Sequence, residues 1–228
     1  RDLHLSIRRQ RQMCIRDSVK QRKEAVDAIE SIKYNALLPH QLCLLCKEYT
    51  ARLIQISTDC VFSGNKGNYV ESDIPDATNL YGRTKLLGEI SSSNTVTLRS
   101  PFIGIELSRK QGLIEWFLAQ RGIIQGYVHA IYSGLTTTEL ASVIEQLIMQ
   151  HSDLSGIWHV SSAPISKYQI LCSLADKLNR EDIEIKKDEE FKCDRSLDSS
   201  KFMKATSYMP PSWDEMLSKL AEQIINQK

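Results

Sequence analysis

Along the chain, short apolar runs alternate with longer segments whose apolar positions recur every three to four residues, the pattern of strands alternating with amphipathic helices. Residues 34–49 carry a helical period, and residues 52–57 (RLIQIS) form a short run of buried-strand type. A polar loop with Gly64 and Gly67 follows, then a helical repeat over residues 79–90 and a β-rich segment over residues 95–100 (TVTLRS). Strand, helix and strand at this spacing predict a parallel sheet with crossover helices. Farther on, residues 112–121, 137–149, 166–178 and 213–225 read as helices, and residues 157–161 (IWHVS) as a strand. Thr136 or Thr137 stands where an N-cap belongs, with Glu139 in the first turn, and Pro210-Pro211 breaks the chain before the last helix.

Composition narrows the class. A chain of 228 residues with 42% hydrophobic side chains can build a real core, which excludes a disordered or mini-protein class. The net charge of +1 excludes a strong overall attraction to nucleic acid or an acidic membrane. Charge is unevenly placed: residues 1–23 carry net +6, leaving the remaining 205 at −5. No apolar run approaches the roughly 20 residues that span a bilayer, so the expectation is a cytoplasmic protein with no membrane or nucleic-acid partner. Six scattered cysteines suit reduced thiols. Cys43 and Cys46 form a C-x-x-C within the apolar pattern LCLLC, which reads as core packing, and no metal site is expected. The basic leader could read as a nucleic-acid arm or an Arg-rich transit peptide. The preferred reading is that residues 1–18 are a non-native leader, because residues 10–18 (QRQMCIRDS) resemble translated sequencing-adapter sequence.

Parallel sheets place binding groups at the carboxyl ends of their strands, so the residues ending RLIQIS come first. They are Ser57, Thr58 and Asp59. Tyr81 and Lys85 follow on the next predicted helix, four residues apart and therefore on one face. A phenol with a pKa near about 10 is a poor acid–base group at neutral pH, and a neighbouring ammonium favours its phenolate form. Tyr81 could then protonate a substrate oxygen, while the Thr58 hydroxyl holds the same carbonyl. Tyr-x-x-x-Lys alone is a weak signal, equally suited to a surface helix. Its combination with a strand-ending Ser-Thr-Asp and a Gly-containing loop is stronger.

The runs ISTDCVFSG (residues 56–64) and YGRTKLLGE (residues 81–89), with Tyr69, Glu71, Asp73 and Pro75 between them, resemble the extended short-chain dehydrogenase/reductases. Within that family they are most similar to the dTDP-4-dehydrorhamnose reductase group of sugar-nucleotide reductases. Residues 98–100 (LRS), 134–141 (GLTTTELA) and 194–198 (DRSLD) with Lys201 extend the likeness over about residues 25–216. Cys60 stands where the family usually has Tyr, and DRS lacks the family's Pro.

The resemblance implies an α/β fold: a partial Rossmann-type, doubly wound parallel sheet lacking its first βα units, plus a small C-terminal α/β substrate-binding portion. Residues 19–103 would hold the catalytic part and residues 104–228 mainly the substrate part, with some elements returning to the sheet. It implies Thr58, Tyr81 and Lys85 as catalytic residues. Asn35, Ser57, Tyr81, Lys85, Ser100, Pro101 and Phe102 would bind the cofactor, NADPH or NADH. Thr58, Asp59, Cys60, Val61, Phe62, Trp116 and Arg195 would bind a nucleotide-activated 4-keto sugar, and a homodimer is allowed. Because the first glycine is Gly64, the Gly-rich pyrophosphate turn is expected to be missing and the chain to be a fragment inactive alone. The alternative is a noncatalytic relative of the methionine adenosyltransferase regulatory type.

Overall fold

The computed structural model describes residues 27–107 and 112–227. The leader expected over residues 1–18 lies outside them. Helix α1 runs without a break as Ala28–Ser31, a π-helical stretch Ile32–Leu37, and Leu38–Glu48. It starts earlier than its periodicity predicts, because the Asp27 carboxylate accepts from the Ile29 and Glu30 amides at 2.8 and 3.2 Å. The π-helical turn has a covalent cause. Pro39 has no N–H for the Asn35 carbonyl and its ring crowds that position, so the preceding turn widens and Leu38 N–H bonds to Lys33 O instead.

Strand β1 (Leu53–Ser57), helix α2 (Leu80–Leu87), strand β2 (Thr95–Arg99) and strand β6 (Gly156–His159) build the first sheet and its crossover. Its order is β1-β2-β6, parallel throughout, with Ile56 opposite Leu98 and Leu98 opposite Trp158. This is the parallel α/β arrangement the sequence predicts. A short parallel pair, β3 (Phe102–Ile103) and β5 (Leu135–Thr136), continues from the ends of the first sheet. Helix α4 (Thr137–Gln150) is capped by Thr136, whose side chain accepts from Glu139 N.

Helix α3 (Leu113–Ala119) leads into strand β4 (Gly122–Tyr132), which pairs antiparallel with β7 (Ile165–Ser166) and parallel with β8 (Ile183–Asp194). Helices α5 (Lys167–Lys177), α6 (Ser200–Thr206) and α7 (Trp213–Asn226) complete the fold. One core gathers Val96, Leu98, Leu140, Val143, Leu147 and Phe202; another gathers Phe117, Ile124, Ile170, Leu174, Leu217 and Leu220. Trp213 packs against both. The C-x-x-C expectation is corrected: Cys43 and Cys46 are only half-buried, and no residue of Leu38–Glu48 is fully buried.

Beneath the ends of the first sheet lies a buried charge cluster. Glu89, just past α2, takes Arg99 Nη2 on Oε2 at 2.7 Å, and Arg99 Nε and Ser57 Oγ on Oε1 at 2.9 and 2.6 Å. Both charged side chains are 4% exposed or less. Arg99 Nη1 also meets His159 Nε2 at 3.2 Å, and His159 Nδ1 meets Tyr69 O at 3.0 Å. Since guanidinium can only donate, Nε2 accepts and Nδ1–H donates. Burial, reinforced by Arg99 against the opposing pull of Glu71, holds the imidazole below its ordinary pKa and therefore neutral. Breaking a buried pair leaves one charge uncompensated. Glu89→Gln is expected to cost about 3–5 kcal/mol of stability, read as a lower urea midpoint. An unchanged midpoint would contradict this account of the cluster.

Candidate active site

The chain turns sharply at the end of β1. Thr58 is extended (φ −146°), and its Oγ1 accepts from Cys60 N at 3.1 Å, capping the 3-10 turn Asp59–Val61. This cap fixes the Thr58 hydroxyl, which also donates to Asp59 Oδ1 at 3.1 Å. Helix α2 is capped by Asn79, whose Oδ1 accepts from Gly82 N at 2.8 Å. A Cβ at Gly82 would collide with the Cys60 carbonyl oxygen, so glycine there lets the Tyr81 end of α2 approach the turn. Tyr81 and Thr58 thereby line one cleft, of about 420 Å³, at the carboxyl ends of β1 and β2.

Of the residues expected to bind or react, Ser57, Thr58, Asp59, Cys60, Tyr81, Ser100, Pro101, Phe102 and Arg195 all line this cleft. Lys85 does not reach its surface. Its side chain is 5% exposed, and Nζ donates to Ile56 O at 3.0 Å, which holds the ammonium under the end of β1. Asn35 is also removed from the cleft, since its Nδ2 donates to Thr84 Oγ1 at 3.1 Å between α1 and α2. Val61 and Phe62 are fully buried with Tyr69 and Leu197. The Phe62 ring stacks on Tyr69 at 4.1 Å, so packing rather than ligand contact occupies it. Trp116 is 40% exposed on α3 and is likewise not among the lining residues. Trp158 packs edge-on to Phe202.

The loop over residues 63–71 packs against the segment that carries Arg195. Gly67 (φ +71°) lies so close to Asp194 that any Cβ would run into its carboxylate. Asn68 N donates to Ser196 Oγ at 2.8 Å and Tyr69 N to Ser196 O at 2.8 Å. The DRSLD segment therefore pins the Gly-containing loop. Arg195 itself donates to Phe62 O at 2.8 Å and Ser63 O at 3.1 Å, leaving its guanidinium charge at the cleft wall.

Electrostatics in the cleft centre on Asp59. Burial raises its carboxyl pKa, while Arg195, hydrogen bonds from Thr58 and Cys60, and Lys167 pull it back. The sequence reading missed several contributors. Lys167, Tyr132 and Cys193 line the cleft from α5, β4 and β8. Glu89, Arg99 and His159 hold it from below. Arg99 inside TVTLRS and His159 inside IWHVS, polar residues embedded in apolar strands, were the available signal. Among the described residues, no group of three or more His, Cys, Asp or Glu gathers at metal-binding distance, and no helix is long and apolar enough to cross a membrane.

Comparison with known proteins places this geometry. Residues 21–101 match the RmlD substrate binding domain family. Methionine adenosyltransferase 2 subunit beta of Danio rerio is 30% identical over 155 residues, 61% of this chain and 48% of that protein. The chain thus spans about half the length of the curated relatives it matches. A dTDP-4-dehydrorhamnose reductase from Bacillus anthracis, solved in complex with NADP, superposes with a TM-score of 0.78 at 19% identity, covering 90% of this chain and 78% of the other. A hypothetical dTDP-4-dehydrorhamnose reductase from Sulfolobus tokodaii superposes with a TM-score of 0.72 at 26% identity, covering 86% and 74%. Segment and fold agree: the chain carries an RmlD-type segment within the short-chain dehydrogenase/reductase-like fold of the dTDP-4-dehydrorhamnose reductases.

Proposed function

We propose that this chain is the catalytic and substrate-binding part of an NAD(P)H-dependent reductase of a nucleotide-activated 4-keto sugar. The observation that carries this reading is the convergence of Thr58 and Tyr81 on one cleft at the strand ends, with the Lys85 ammonium held below. The cleft suits a nicotinamide. Ser100 Oγ is buried there without a hydrogen-bond partner, beside an apolar wall of Pro101, Phe102 and Ile103, which fits a flat ring bearing a carboxamide. Ser57, Ser100, Pro101 and Phe102 would hold that ring. When bound, the reduced ring supplies the hydride that adds to the sugar carbonyl carbon.

The chain's own groups do the rest. The capping bond fixes the Thr58 oxygen, and the hydroxyl turns its proton from Asp59 Oδ1 to donate to the carbonyl oxygen. Tyr81 delivers the proton to that oxygen, so that ketone becomes secondary alcohol, and Lys85 favours the phenolate left behind. Asp59 and Cys60 flank the sugar, and Arg195 offers its charge to the diphosphate. Oxidation of NADPH and NADH with dTDP-4-dehydrorhamnose tests this, using this chain placed behind the N-terminal half of a homologous reductase. Tyr81→Phe is expected to lower kcat by at least about 100-fold, and Lys85→Ala to lower it too. A chimera that turns over equally fast with Tyr81→Phe would contradict the assignment.

The sequence match to methionine adenosyltransferase 2 subunit beta favours a second reading, a binding subunit without chemistry. On that reading the chimera shows no turnover, and the chain binds a methionine adenosyltransferase catalytic subunit with or without the Tyr81 hydroxyl. Asp59 supplies a separate prediction. A carboxyl whose pKa is raised by folding contributes stability below its unfolded pKa of about 3.9 and loses it as pH rises through the folded value. Asp59→Asn should therefore melt higher than the parent at pH 7, with the gap closing as pH falls through the ordinary carboxylate range. A lower melting temperature at pH 7 would show that the carboxylate is a structural asset instead.

A further inference from the structure

The hydroxyl of Tyr132 has no role in the fold. It is buried and has no hydrogen-bond partner, although its residue lines the cleft from the end of β4. The ring packs against Trp213, with centroids 5.7 Å apart, and a phenylalanine would fill that position as well. The nearby backbone does not satisfy the oxygen. A Cβ on Gly134 would strike both Tyr132 Oη and Pro101 O, so the two oxygens lie close together, yet Pro101 O is taken by Leu135 N at 3.0 Å and Tyr132 makes no bond to it. Ser100 Oγ, on the other side of Pro101, is the second buried hydroxyl of this wall without a partner. Enclosed polar groups left unbonded cost stability; Ser100 Oγ is set against the nicotinamide in the reading above, which leaves the Tyr132 hydroxyl without an assigned role.

We infer that Tyr132 is a specificity-determining residue whose hydroxyl donates a hydrogen bond to an oxygen of the sugar in a nucleoside-diphosphate sugar. The inference rests on the nucleotide-sugar reading above and adds a contact from the end of β4. Tyr132 lines the same cleft as Asp59 and Cys60, the residues that the reading above sets against the sugar. Burial keeps its proton on, so it serves as a fixed donor and does not exchange protons with substrate. A site built around such a donor discriminates strongly against a ligand lacking the matching oxygen.

Calorimetric titration of the full chain with dTDP-rhamnose and with dTDP, for the parent and for Tyr132→Phe, tests the inference, together with melting curves of the ligand-free proteins. Tyr132→Phe is expected to weaken dTDP-rhamnose binding by about five- to tenfold, equally from pH 6 to 9, with dTDP affinity unchanged. The ligand-free variant should melt at the same temperature as the parent or higher. Parent-like affinity for dTDP-rhamnose, equal losses for both ligands, or a lower melting temperature with binding intact would each overturn the inference. Failure of the parent to bind dTDP-rhamnose would overturn it together with the nucleotide-sugar reading, whereas parent binding that Tyr132→Phe leaves untouched would overturn it alone.

Discussion

A carboxylate and a guanidinium removed from water hold the working end of this molecule together. Glu89 follows directly on the helix that carries Tyr81 and Lys85, and its two oxygens reach Ser57 at the end of β1 and Arg99 at the end of β2. Arg99 passes the connection to His159 on β6, and His159 passes it to the loop at Tyr69. Five segments of the chain thus share one set of hydrogen bonds. Such a pair adds little net stability relative to an apolar replacement, because desolvation offsets its attraction. What it supplies is a defined arrangement, since a half-made cluster would strand a charge in the interior.

The hydroxyls of the cleft divide by environment. Thr58 is committed to its turn and presents its oxygen in one direction. Tyr81 sits on the helix that brings Lys85 under the strand, whereas Tyr132 lines the cleft from the end of β4 with its hydroxyl buried. On the proposed reading the first would deliver a proton and the second would serve as a fixed donor. Asp59 lines the same cleft, its carboxyl pKa raised by burial and drawn back by Arg195, its hydrogen bonds and Lys167. Sites of this kind are where a fold departs from what packing alone would choose.

Much of this was readable in the sequence because it is local. Alternating runs such as RLIQIS and TVTLRS gave the parallel strands, and the Tyr81–Lys85 spacing gave a helical face before any fold was known. Strands β4 and β8 were not legible. In IEIKKDEEFKCD the outward positions are charged and the inward ones few, so the period of two is drowned in polar residues. The π-helical turn was hidden in the conflict between Pro39 and a helical pattern that runs through it. Val61 and Phe62 sit in a motif beside Thr58, Asp59 and Cys60, and sequence proximity alone cannot tell a side chain that faces the cleft from one that turns into the core. Tyr132 and Lys167 reach the cleft only through tertiary folding, from segments with no motif to mark them.

The central claim is that the buried Glu89–Arg99 pair sets the position of the cleft end of β1, and amide hydrogen exchange on Arg99→Met tests it most directly. The account predicts faster exchange at Cys60, Phe62 and Tyr69, the amides of the turn and loop tied to the cluster, with helix α7 unchanged. Uniform acceleration across the molecule, or protection at Cys60 and Tyr69 equal to the parent's, would contradict it.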